Sequence, residues 1–98
     1  MWKKYVMTCE LCILADKTFV YIENDAFIVM NCNSCLVPMI VWKNHTMSIP
    51  EPDVNIMEIF LTECAEQFYG DTPFFIDKKQ RAVLDHLHWH ARTVERVN

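Results

Sequence analysis

His86-Leu87-His88-Trp89-His90-Ala91-Arg92 gathers three of the chain's four histidines into five residues. On a β-strand alternate side chains share a face. The three imidazoles then stand in one row, while Leu87 and Trp89 turn into a core behind them. Histidine is the side chain whose unperturbed titration falls nearest neutrality, so such a row suits metal binding, attack on phosphorus or proton transfer. The plainer alternative is a row of surface histidines with no chemistry. An expression tag does not fit, because tags are uninterrupted histidine runs at a terminus.

The rest of the chain supplies the elements around this stretch. Residues 1 to 8 mix charge and aromatics, and Cys9 to Asp16 is helix-compatible, which puts Cys9 and Cys12 on one turn. Phe19 to Ile22 and Ala26 to Met30 are apolar runs separated by Glu23-Asn24-Asp25, and they read as a hairpin. Leu36 to Trp42 reads as a third strand in which Pro38 marks an edge or a bulge, with His45 where it ends. Ser48 to Asp53 leads into a helix, its acidic residues suited to the N-terminal dipole. Val54, Met57, Leu61, Cys64 and Phe68 repeat at helical spacing up to Gly70, a natural stop. Cys64 lies in that stripe and reads as a small buried apolar residue. Phe74 to Ile76 is a fourth strand, Lys78 to Arg81 a basic turn, and Ala82 to Val94 a fifth strand carrying the histidines. Strands, one long helix, then strands predict an α+β domain with an antiparallel sheet of about five strands.

Composition bounds the function. Ninety-eight residues with one glycine and no Ser/Gly-rich stretch make a single domain spanning 1–98. That is near the lower end of what buries a core without a metal or a partner subunit. A net charge of -4 argues against general nucleic-acid binding. No apolar run approaches the roughly eighteen residues of a membrane span, and no signal-peptide core follows Met1-Trp2-Lys3-Lys4. A cytoplasmic protein is expected. Five cysteines is an odd number, and two pairs have Cys-x-x-Cys spacing. In a reducing compartment such pairs read as metal ligands before disulfides.

The His-apolar-His-apolar-His array near the end of a chain of this length resembles the histidine triad superfamily of nucleotidyl hydrolases and transferases. Cys9-Glu10-Leu11-Cys12, Glu23-Asn24-Asp25 ahead of an apolar strand, and Lys43-Asn44-His45 extend the resemblance over most of the chain. It implies the histidine triad fold, and it assigns roles. His88, the middle histidine, would attack the α-phosphorus of a nucleotide, forming a nucleotidyl-histidine that water resolves. Its second ring nitrogen would be protonated and held by a backbone carbonyl. His90 would donate to the phosphate oxygens as charge develops there.

The resemblance also implies a metal. Zinc-bearing members use a Cys-x-x-Cys, a histidine after the third strand and the first histidine of the triad, which here are Cys9, Cys12, His45 and His86. Two thiolates and two imidazoles suit a closed tetrahedral structural zinc. A competing set is Cys9/Cys12 with Cys32/Cys35, whose 19-residue gap fits a four-cysteine ribbon. A redox dithiol has less in its favour, since neither pair sits in a thioredoxin-like βαβ unit.

Departures from the family pattern bear on the chemistry. The glycine-containing loop and the Ser or Gln three or four residues before the triad are replaced by Lys78-Lys79-Gln80-Arg81 and by Ala82 and Val83. Gln80 and Arg81 are the candidates to take over contact with substrate, because side chains neutralise phosphate as well as backbone amides do. Arg92 stands where the family has an apolar residue and is an auxiliary phosphate contact. The acidic residue that holds a ribose hydroxyl at the end of the second strand is missing, and Asn31 is nearest to that place. The expected partner is a nucleotide or nucleotide conjugate, and the alternative function is a zinc-stabilised nucleotide-binding module without turnover. Hydrophobic residues make up 52% of the chain, and Ile56, Ile59 and Phe60 flank the helical stripe. This excess points to a homodimer.

Overall fold

The computed structural model describes residues 11, 19–32, 36–80 and 83–94. Five strands and one helix form the described architecture: β1 (Val20–Glu23), β2 (Phe27–Asn31), β3 (Pro38–Trp42), α1 (Glu51–Tyr69), β4 (Phe74–Asp77) and β5 (His88–Thr93). They make one antiparallel sheet in the order β1-β2-β3-β5-β4. The expected α+β class, with about five strands and a long helix, is what is found. The strand carrying His88 and His90 is inserted between β3 and β4, away from either edge.

Alternation along the strands gives the sheet two different faces. Phe27, Val29, Ile40, Trp89 and Ala91 point to the helix side with the adjoining Leu87, and there they pack with Met57, Leu61, Cys64 and Ala65 of α1. Leu87 and Trp89 therefore lie in the core behind the histidines, and Cys64 is a buried member of the helical stripe. Ile28, Met30, Met39 and Val41 point to the other side and cluster with Leu11 and Cys32. Each buried Leu or Ile of these layers contributes on the order of 2–5 kcal/mol against truncation to alanine.

The helix begins and ends as its chemistry requires. Pro50 stands at the N-cap position with no side-chain cap bond, its carbonyl accepting from Asp53 and Val54 N–H. Pro52 occupies the first turn where no N–H bond is lost, and Glu51 and Asp53 complement the dipole. Gly70 ends it at φ 62°, a left-handed value open to glycine without a Cβ penalty. One end of the expected stripe differs: Phe68 is exposed, whereas Ala65 takes the buried position beside Cys64.

Two strand boundaries differ more. β3 starts at Pro38, opposite Asn31, and it is an interior strand rather than an edge. A proline as first residue of a strand costs no internal ladder bond. Before it, Leu36 closes a turn at φ 61°, its N–H donating to the Cys32 carbonyl at 2.8 Å. β5 begins at His88, not at 82. The backbone ahead of it bends through residues 84–86, and Leu87 bonds to the β3 side of the sheet, accepting from Trp42 N–H and donating to the Thr46 carbonyl. His86 is therefore not part of a regular row of three.

Candidate active site

His88 and His90 project from β5 on the face opposite α1. Their Cα partners on β3 are Val41 and Met39, which place them beside that face's apolar cluster. Their rings meet edge to face with centroids 5.5 Å apart. Both are buried, at 6% and 8% exposure, so their ring nitrogens interact with protein atoms or an enclosed ligand more than with bulk water.

The His88 ring is held from behind. Its Nδ1 lies 2.8 Å from the main-chain carbonyl oxygen of His86. A protonated Nδ1 donates to that oxygen, and the neutral ring then carries its lone pair on Nε2. Gln80 completes the anchorage: its Nε2 donates to the His86 and Val83 carbonyls at 2.7 and 3.0 Å, and its Oε1 accepts from His88 N–H at 3.3 Å. Gln80 is thus turned inward onto the triad backbone.

His86 makes a second pair. Because the chain bends before β5, its ring turns toward His45, with centroids 5.1 Å apart, and its Nε2 donates to the Trp42 carbonyl oxygen. His45 Nε2 lies 3.1 Å from Asp85 Oδ2. In the neutral rings each Nε2–H is directed at an oxygen, which leaves Nδ1 as the lone-pair nitrogen of both. Orientation of a histidine by an oxygen acceptor on its far nitrogen is the usual arrangement behind a metal ligand. Burial pushes the His86 pKa below its ordinary value, reinforced by His45 and His88, although the Trp42 carbonyl opposes the shift. A ring kept neutral is ready to coordinate. Cys9 and Cys12, the other two expected ligands, lie outside the described residues, as does Cys35 of the competing set. Among the described residues no group of three or more His, Cys, Asp or Glu side chains is arranged to hold a metal.

The expected substrate contacts are distributed unevenly. Arg92 continues the face of His88 and His90, and its Nε donates to Asp77 Oδ2 at 2.9 Å. Asp77 is the Cα partner of His90, and its Oδ1 accepts the Lys79 N–H. Asn31, by alternation with Val29, lies on the helix side of the sheet, where its Oδ1 accepts the Tyr21 hydroxyl at 2.9 Å. It is not brought together with the triad. Arg81 lies outside the described residues.

Asp77 and Asp85 are the site residues that sequence reasoning missed. Their signals were slight: an acidic residue closing the strand before the triad, and an acidic residue directly preceding its first histidine.

No family model matches the chain, and no curated protein matches it. Among solved structures it is similar to a histidine triad protein from Clostridium difficile. The TM-score is 0.69 at 20% identity, over 95% of this chain and 96% of that one. The fold is therefore the one that the triad's resemblance implied. No helix of the described residues is long and apolar enough to cross a membrane.

Proposed function

We propose that this chain, which carries the histidine triad fold, is a nucleotide-binding hydrolase or nucleotidyltransferase acting at the α-phosphate. The observation that carries the reading is the contact of His88 Nδ1 with the His86 carbonyl. It leaves Nε2 with the lone pair that nucleophilic catalysis needs.

In this reading the Nε2 lone pair forms a bond to the α-phosphorus. The bond from phosphorus to the leaving atom breaks, and its electron pair departs with the leaving group, which takes up a proton. Water then attacks phosphorus and loses a proton, and the P–N bond breaks to return the electron pair to Nε2. His90, 5.5 Å from His88 between ring centroids, donates to the non-bridging oxygens as charge collects on them. Arg92, fixed in direction by Asp77, supplies a further cation along the same face. Arg81 remains a proposed substrate contact, whereas Asn31, which faces Tyr21 on the helix side of the sheet, is withdrawn as a ribose contact.

Structural zinc belongs to this proposal. His45 and His86 meet in space edge to face, each with its Nε2 against an oxygen, which suits two of its four ligands, and Cys9 and Cys12 would be the others. Such an ion, with no open coordination position, would stabilise the fold and hold His86 in place.

The test is turnover of nucleoside phosphoramidates, dinucleoside polyphosphates and nucleotide sugars by the wild type and by His88→Ala. Loss of all activity in His88→Ala is expected. Activity that survives the substitution would remove His88 as nucleophile. Nucleotide binding without turnover by the wild type would favour the reading as a binding module.

A further inference from the structure

The Gln80 side chain is the part of the site that the reaction above leaves without a task. Sequence position suggests substrate contact, but the geometry directs it elsewhere. A carboxamide has two N–H donors. Gln80 directs them at two acceptors, the Val83 carbonyl at 3.0 Å and the His86 carbonyl at 2.7 Å, and its Nε2 also lies 2.9 Å from His88 Nδ1, which accepts from it only when unprotonated.

One proton arrangement makes the most hydrogen bonds among these atoms and leaves only the approach of Gln80 Nε2 to His88 Nδ1 without a bond. Gln80 donates to the two carbonyls, and His88 Nδ1–H donates to the His86 oxygen, which has two lone pairs for its two donors. The His88 N–H meanwhile donates to Gln80 Oε1 at 3.3 Å, which fixes which end of the carboxamide is which. In the opposite tautomer Nδ1 would present a lone pair to the His86 oxygen at 2.8 Å, and it would draw a Gln80 hydrogen away from a carbonyl. Nε2 would then carry the proton and could not attack.

We propose that Gln80 is a positioning residue for the nucleophile. It ties the bend at 83–86 to the start of β5 and holds in place the His86 carbonyl oxygen that selects the Nδ1–H tautomer of His88. It does not serve the leaving group, because both of its amide hydrogens are committed to backbone carbonyls. The effect on rate rests on the histidine triad reading above, whereas the selection of tautomer does not.

Gln80→Met keeps the length of the side chain and removes its polar atoms, and Gln80→Asn, too short to span all the contacts, serves if the first variant does not fold. Nitrogen-15 NMR of the imidazoles in the full chain at neutral pH reads the tautomer without any substrate. The wild type is expected to show a slowly exchanging His88 Nδ1–H beside an unprotonated Nε2. Either variant is expected to show an averaged, exchange-broadened ring. A His88 signal unchanged in both variants would overturn the proposal.

The second arm compares a nucleoside 5′-(p-nitrophenyl phosphate), whose leaving group needs no proton, with a nucleoside 5′-phosphoramidate, whose leaving group does. Loss of an orienting contact of this kind costs about 10–100-fold. That loss is expected in kcat on both substrates, with KM little changed. A loss confined to the phosphoramidate would assign Gln80 to the leaving group and overturn the proposal. Should the wild type turn over neither compound, the transferase reading fails, and the NMR result alone decides the role of Gln80.

Discussion

His88 Nδ1 lies 2.8 Å from the carbonyl oxygen of His86, so the first residue of the triad orients the second through its backbone while its own ring turns away to His45. This separates two tasks along one short stretch, and it predicts where the covalent intermediate forms. Rapid quenching of the wild type with a slow nucleotide substrate at alkaline pH should give a nucleotidyl adduct on His88, and acid should release it. An adduct mapped to His90 would exchange the two roles.

Arg92 and Asp77 join β5 to β4 next to His90, with the Asp77 side chain 8% exposed and that of Arg92 28%. Removing one partner of a buried pair leaves a desolvated charge, and partial exposure of Arg92 reduces the cost. Arg92→Met is expected to lower stability by about 1–3 kcal/mol in urea unfolding and to weaken nucleotide binding. Asp77→Asn, which frees the guanidinium from its counter-charge, should lower kcat by disordering Arg92 while keeping its charge. Nucleotide affinity unchanged in Arg92→Met would exclude Arg92 from the phosphate site.

The core was legible because its signals are local. Leu87 and Trp89 alternate with histidines, and Met57, Leu61 and Cys64 recur at helical spacing, so each faces the core whatever its neighbours do. The site was legible only in part because its geometry depends on where regular structure stops. The strand pattern extends back to Ala82, but the Gln80 carboxamide and the Trp42 and Thr46 backbone take up the polar groups around residues 83–87, so β5 begins at His88. Asn31 shows the same sensitivity: one position of register decides the face of a strand residue, and the pairing with Pro38 turns it toward Tyr21. The carboxylate partners of His45 and Arg92 are 40 and 15 residues away, a separation with no periodicity to read.

Subunit association is expected from what α1 and β4 leave uncovered. Ile56 and Ile59 on the helix and Phe75 on the edge strand are 42%, 56% and 46% exposed. Exposed apolar side chains on the helix and on a strand at the edge of the described sheet favour a partner. Light scattering at micromolar concentration should give twice the chain mass, and Ile59→Glu should shift it toward the monomer. A wild-type monomer under those conditions would exclude the dimer.

Stability should fall in alkali through one buried and two half-buried groups. Burial pushes the Cys64 thiol and the Tyr21 and Tyr69 hydroxyls above their ordinary values. The Tyr21 bond to Asn31 and the charge of Arg92 near Tyr69 oppose this without cancelling it. The unfolded chain releases these protons at about pH 8.5 for the thiol and about pH 10 for the phenols, whereas the folded chain retains them to higher pH. Stability from this source is therefore fully present below pH 8.5 and is lost as pH rises through the folded values. The melting temperature should decline between about pH 9 and 11, and Cys64→Ala should remove the earliest part of the decline. An identical decline in Cys64→Ala would place its origin elsewhere.

Zinc content separates the two candidate ligand sets. His45 and His86 are placed side by side with their Nε2 atoms held by Asp85 and the Trp42 carbonyl, an outer shell suited to ligation through Nδ1. Cys32 is buried among Ile28, Met30 and Met39 on the triad side of the sheet, where a thiolate would be poorly solvated without an ion. The expectation is one zinc per chain, bound by Cys9, Cys12, His45 and His86. Cys9→Ser and His45→Ala should then lower zinc content and melting temperature together, because binding free energy at a structural site is folding free energy. His88→Ala should keep the metal while abolishing turnover. Asp85→Asn should weaken zinc by about 10–100-fold, since it alters only the orientation and basicity of His45. Zinc retained in the Cys9→Ser/Cys12→Ser double variant but lost from Cys32→Ser would move the ion to the second cysteine pair. A wild type without zinc, whose melting temperature is unmoved by added metal or by chelator, would leave the His45–His86 pair as a hydrogen-bonded support for the bend before β5.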